Sequence, residues 1–142
     1  MRSSPYRRIL VQLDGTPRAE RFLAWVRHLA RASSTQIYLL MITPGARAVA
    51  VAGHAVAFVD QLEESARAEA RAYLEPLAAR LREEGLTVHT YVCIGEATGI
   101  TRAAIEELRA DLLVVSDDAL RRRLGVVPIP VLTSGPRCRR SA

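Results

Sequence analysis

The sequence contains no lysine: all twenty of its basic side chains are arginine. Such a bias reflects codon usage as much as function, and it excludes any phosphate chemistry that depends on a lysine partner. Cysteine is nearly as scarce. Cys93 and Cys138 form no motif, and Cys93 reads as a small hydrophobe at the end of a strand. No Ser-His-Asp, Cys-His or zinc spacing makes the case for an enzyme. No stretch reaches the roughly 18 apolar residues needed to span a bilayer. The start, Met1-Arg2-Ser3-Ser4-Pro5-Tyr6, lacks the apolar centre of a signal peptide. The expectation is a cytoplasmic protein with no membrane partner. Aromatic residues are few, and none interleaves with the arginine runs at Arg2, Arg7 and Arg8, at Arg121 to Arg123, or at Arg137, Arg139 and Arg140. A stacking surface for nucleic acid is therefore not expected, despite the net charge of +5. The runs read instead as solvated surface and a frayed tail.

What is present is strongly patterned. At 142 residues the chain has the size of one domain. We read a single domain over 1–134 and a basic, disordered tail over 135–142. Ile9, Leu10, Val11 and Leu13 form a short apolar run ending at Asp14, as in a strand buried on both faces. Gly15 allows a tight exit, Thr16 suits a helix N-cap, and Pro17 suits the first helical position. A helix is expected over 17–33, with Phe22, Leu23, Val26, Leu29 and Ala30 inward, Trp25 at the core edge and His28 in solvent. A second apolar strand spans Gln36 to Ile42. Ala46 to Ala57, with His54, reads as a loop over the carboxyl edge of the sheet.

A long helix is expected over 58–84, with Leu62, Ala66, Ala70, Tyr73, Leu77 and Leu81 on one face. Pro76 predicts a kink or a restart near residue 75. Leu86 to Val92 alternates, as an edge strand with one wet face would, which makes His89 a surface residue. A helix at about 98–109 leads to a fourth strand, Asp111 to Ser116. A basic segment follows, and Pro128 to Thr133 reads as a short edge strand. Right-handed crossovers make this one parallel sheet covered on both faces. The first and fourth strands then meet at the switch point. That placement brings Asp14 near Ser116, Asp117 and Asp118, at the edge where such sheets bind ligands.

Taken in order, these pieces resemble the universal stress protein family over nearly the whole chain. Ile9 to Thr16 resembles its opening strand and Asp-Gly-Ser/Thr turn, and Leu39 to Ile42 its second strand. The Gly95 turn and Ala110 to Val115 resemble the approach to its nucleotide loop, and Pro130-Val131-Leu132 its last strand. The resemblance implies an α/β, Rossmann-like open sheet of order 3-2-1-4-5 and a homodimer, often paired through the last strands. Here that would be Ile129 to Thr133. Nucleotide-binding members carry a loop of glycine, two residues, glycine, nine residues, glycine and Ser or Thr. In this chain Ser116 and Ala119 replace the first two glycines, the loop is short, and only Gly125 matches, followed by Val126. Pro128 leaves almost no room for the last helix, so that helix is truncated or missing and apolar surface near Val126, Val127 and Ile129 is exposed for a partner.

Three readings follow. The first is a dimeric regulatory or stress-response domain that binds no ATP and needs no cofactor. The second is an ATP- or AMP-binding member with an altered loop, in which the resemblance puts Leu13, Asp14 and Ile42 around adenine and ribose, and Ser116, Gly125 and Val126 near phosphate. The third is a magnesium-dependent phosphate enzyme or phosphoacceptor built on Asp14, Asp117 and Asp118. The third resembles receiver-type domains but lacks their lysine. Asp117 and Asp118 have a plainer reading as a solvated turn or helix cap.

Overall fold

The computed structural model describes residues 6–30, 34–44 and 56–133. The expectations for residues 31–33, for residues 46–55 of the loop Ala46 to Ala57, with His54, and for the basic tail lie outside them. Five strands and four helices are described: β1 Arg8–Leu13, α1 Pro17–Ala30, β2 Gln36–Thr43, α2 Val56–Glu83, β3 Thr87–Ile94, α3 Ala97–Leu108, β4 Leu112–Val115, α4 Asp118–Leu124 and β5 Val131–Thr133. The strands form one sheet in the order β3-β2-β1-β4-β5, and every pairing is parallel. This is the expected Rossmann-like order. No helix among the described residues is long and apolar enough to cross a membrane.

Strand alternation divides the core into two layers. Ile9, Val11 and Leu13 of β1 point with Ile37 and Leu39 of β2 into a layer closed by Phe22, Leu23 and Val26 of α1 and by Leu74, Leu77, Ala78 and Leu81 of α2. Leu10, Tyr38, Leu40, Leu113 and Val115 point the other way, where Ile105 of α3 and Leu120 and Leu124 of α4 cover them. Burial on both faces explains why β1, β2 and β4 read as continuous apolar runs. At the amino edge Asp111 ties β4 to β1: its carboxylate accepts the amides of Arg7 and Arg8 at 2.9 and 3.0 Å.

Several expectations are corrected. The helix α2 runs unbroken through Pro76 and does not restart. One missing backbone bond does not stop a helix whose next turns are pinned by buried Leu77, Ala78 and Leu81. Leu62, expected inward, is 44% exposed, because among the described side chains α2 reaches the core only from Ala70 onward. Trp25 is not packed at the core edge but stands 62% exposed on α1. His89 is not a surface residue. It is half-buried, stacks on Tyr38 at 5.0 Å between ring centroids, and its Nε2 lies 2.9 Å from the Gln36 Oε1. The basic segment after β4 is the short helix α4, and β5 covers only Val131–Thr133 because Pro128 and Pro130 have no amide to give the ladder.

Candidate functional site

The pairing of Gln12 with Val115 carries the register of β1 and β4 to the carboxyl edge. One step on, Leu13 stands beside Ser116, and the chain leaves both strands there. The turn after β1 is closed by its own side chains. Asp14 Oδ1 accepts the Thr16 amide at 3.0 Å and the Thr16 hydroxyl at 2.6 Å. Gly15, at φ +84°, makes the turn possible. Thr16 Oγ1 in turn accepts the amide of Ala19 at 3.2 Å, so Thr16 caps α1 as expected.

The segment after β4 is built the same way. Asp117 is the N-cap of α4, and its Oδ1 accepts the amides of Ala119 and Leu120 at 2.9 and 3.2 Å. Asp118 faces outward from the first turn. Its carboxylate pairs with Arg18 of α1 at 3.5 Å and accepts the Thr133 hydroxyl at 3.4 Å. One side chain thus joins α1, α4 and β5. Gly125 ends α4 at φ +63° and ψ −138°, donating its amide to the Arg122 carbonyl at 3.2 Å. No helix follows before β5 among the described residues. Val126 is 92% exposed, whereas Val127 and Ile129, expected to be uncovered, pack partly against the second core layer.

The predicted residues are not brought together alike. Leu13 is buried beneath α1 and α2, while Ile42 packs against the opposite layer. Ser116 is 3% exposed at the end of β4. Asp14, Asp117 and Asp118 share the edge, but each carboxylate is engaged by its own neighbours, and no group of three His, Cys, Asp or Glu suited to a metal occurs among the described residues. The magnesium reading gains no support from this geometry.

Two features of this end escaped the sequence reading. Glu96 is the N-cap of α3, its carboxylate accepting the amides of Thr98 and Gly99 at 2.9 and 2.8 Å. An acidic residue two places before Thr98-Gly99, just after a strand, is the signal that was available. The buried hydroxyls of Thr43, at the end of β2, and Thr101, in the first turns of α3, have no hydrogen-bond partner. No pattern in the sequence marks them.

Two ionisable groups report on this architecture from opposite ends of the pH scale. The amides of Gly99 and Thr98 hold the Glu96 carboxyl below its ordinary 4.5. The contribution of Glu96 is therefore present above the unfolded value and is lost as pH falls through the lowered folded one. Tyr73 of α2 donates to Glu20 of α1 at 2.7 Å. Burial first, and then that hydrogen bond and the Glu20 charge, push the phenol far above its ordinary 10.0. The folded chain keeps this proton where the unfolded chain loses it, so stability declines once pH rises above about 10. Denaturation midpoints measured between pH 3 and 11 should fall at both ends. Glu96→Ala should flatten only the acid limb and Tyr73→Phe only the alkaline one.

Comparison with known proteins agrees with the architecture. The family model described as "Universal stress protein family" matches residues 5–127. No curated protein sequence matches the chain. Among solved structures, a protein of that family from Burkholderia pseudomallei is similar at TM-score 0.77 and 23% identity, covering 93% of this chain and 98% of its own. A universal stress protein from Archaeoglobus fulgidus in complex with dAMP gives TM-score 0.65 and 19% identity, over 90% and 97% of the two chains. A family protein from Arabidopsis thaliana with AMP bound gives TM-score 0.61 and 14% identity, over 92% and 93%.

Proposed function

From the premise that the chain belongs to the universal stress protein family, we propose that it is a dimeric regulatory or stress-response domain that binds no ATP. One observation carries this reading. The amides that open α4, which would face a phosphate, are already taken by the Asp117 carboxylate. A phosphate cradle needs free N–H groups and a favourable helix end. Here the N–H groups are satisfied and a negative charge stands in the place of the anion. Asp118 adds a second. Like unit charges about 4 Å apart repel by roughly 1 kcal/mol in water and about 4 kcal/mol near a protein surface. Arg18 is paired with Asp118.

The second reading, a nucleotide-binding member with an altered loop, has its own support. Solved relatives carry AMP or dAMP, and the Thr43 and Thr101 hydroxyls are buried and unpartnered at the same end of the sheet. Under this reading Leu13, Asp14 and Ile42 would line the base and ribose region, and Ser116, Gly125 and Val126 the phosphate side. Thermal unfolding without additions, with ATP, with magnesium and with both separates the two. A ligand at 100 times its dissociation constant stabilises by about 2.7 kcal/mol. The expected result is no shift in any condition. A shift with ATP would overturn the first reading in favour of the second, and a shift with magnesium alone would return attention to Asp14, Asp117 and Asp118.

A further inference from the structure

On one face the sheet is wider than the helix that covers it. Residues of β3 alternate between the two faces. Val88 and Val92 join the layer beneath α2, while Cys93 joins the layer beneath α3. The helix α2 packs on β3, whereas α3 packs on β2 and α4. The α3 side of β3 is therefore only partly covered, and Tyr91 there stays 40% exposed. Its ring leans on buried Tyr38 at 6.1 Å between centroids, and Tyr38 stacks in turn on His89.

Along this margin lies a hollow of about 190 Å³, formed from Leu40, Tyr91 and Cys93 on the sheet and from Ala103, Glu107 and Leu108 among the residues of α3. Its lining is mainly apolar, and Glu107 brings the one charge. Among the described residues the Glu107 carboxylate has no ion pair and no hydrogen bond, and the Tyr91 hydroxyl has no hydrogen bond. Arg8, held at the Leu108 carbonyl and the Tyr38 hydroxyl, does not line the hollow. Nor does any residue set out above for a nucleotide.

We propose that this hollow binds a small aromatic ammonium ion, with its ring against the apolar wall and its charge at Glu107. Size, surface and charge select that chemistry. An apolar cavity of roughly 150 Å³ holds one benzene ring. The hollow therefore suits a single ring with a short side chain. The Tyr91 ring adds an aromatic surface that attracts both other rings and cations. The unpaired carboxylate attracts an ammonium group and repels an acid of the same shape. The net charge of +5 opposes the approach of a cation. At physiological salt, however, exposed arginines more than roughly 8 Å away are largely screened, and the group in the lining decides. The site is independent of whether the carboxyl edge takes a nucleotide.

The test titrates 2-phenylethylamine into the full chain and follows backbone amide chemical shifts. Binding is expected at about 1 mM or tighter, with the shifts centred on Tyr91, Cys93 and residues 103–108. Phenylacetate has the same ring and the opposite charge, and should bind at least about tenfold more weakly. Ethylamine has the charge without the ring, and should also bind at least about tenfold more weakly. Glu107→Gln keeps the size of an exposed side chain and should leave circular dichroism unchanged. It should weaken the amine about threefold or more without weakening phenylacetate. Ala103→Leu, also at an exposed position, narrows the hollow and should weaken both aromatic probes. No shift with about 10 mM amine, well above the expected dissociation constant, overturns the proposal. So do shifts centred elsewhere, phenylacetate binding as tightly as the amine, or a Glu107→Gln chain that binds the amine as the wild type does.

Discussion

Replacing Leu124 by alanine is expected to cost about 2–5 kcal/mol, the range for emptying a leucine site in a closed core. Leu124 is fully buried, together with Leu120, Leu10 and Leu113. The helix that carries it has only seven residues. A helix so short does not hold itself in water, so its persistence depends on packing. Leu120 and Leu124, four apart, are the two side chains that anchor it, and the Arg102 guanidinium binds the Leu124 carbonyl at its far end. The loss is a large fraction of the 5–15 kcal/mol that a domain of this size commands. The melting temperature should fall by roughly 10 °C. A loss below about 1 kcal/mol would mean that α4 detaches without disturbing the core, and that the segment after β4 is not the fixed element described here.

Gly125→Val is expected to cost about 1–3 kcal/mol for a different reason. A Cβ placed on Gly125 meets nothing within 4 Å, so no clash contributes. The penalty is the backbone: φ +63° with ψ −138° is a conformation that a β-branched residue strongly resists. Denaturant titration should show a lower midpoint with an unchanged slope. This accounts for a glycine between α4 and β5. Gly125 turns the chain from α4 toward β5, a task that needs no phosphate. If Gly125→Val were neutral, that explanation would fail.

The sheet was legible because its strands carry the signal of two-sided burial. Ile9 to Leu13, Gln36 to Ile42 and Leu112 to Val115 can satisfy their side chains only between two helical layers. Given right-handed crossovers, their order follows. The site was legible at its turns, where Thr16 and Asp117 act through bonds to residues two or three away, a range that sequence spacing resolves. Contacts made across the fold were not legible. Nothing local tells that Asp118 meets Arg18 and Thr133, or that His89 lies on Tyr38. The helix α4 was missed because the three arginines dominate its appearance, although Leu120 and Leu124 stand at helical spacing behind a capping aspartate. At Pro76 the expectation was a kink or a restart, and the restart does not occur. Local chemistry disfavours a proline inside a helix, and the buried turn after it holds the helix together.

The length of α2 has a mechanical side. Its 28 residues rise about 42 Å, whereas the eight residues of β3 span about 26 Å. Residues buried in the core begin at Ala70, and those from Gln61 to Glu69 lie exposed or half-buried. The stretch from Gln61 to Glu69 is thus a cantilever, clamped from Ala70 onward and directed toward the carboxyl edge of the sheet. A force or a binding event at its tip acts on the clamp at Leu74 and Leu77 through a long arm. Opening of the turns from Gln61 to Glu69 would leave the buried contacts of Ala70 to Leu81 in place.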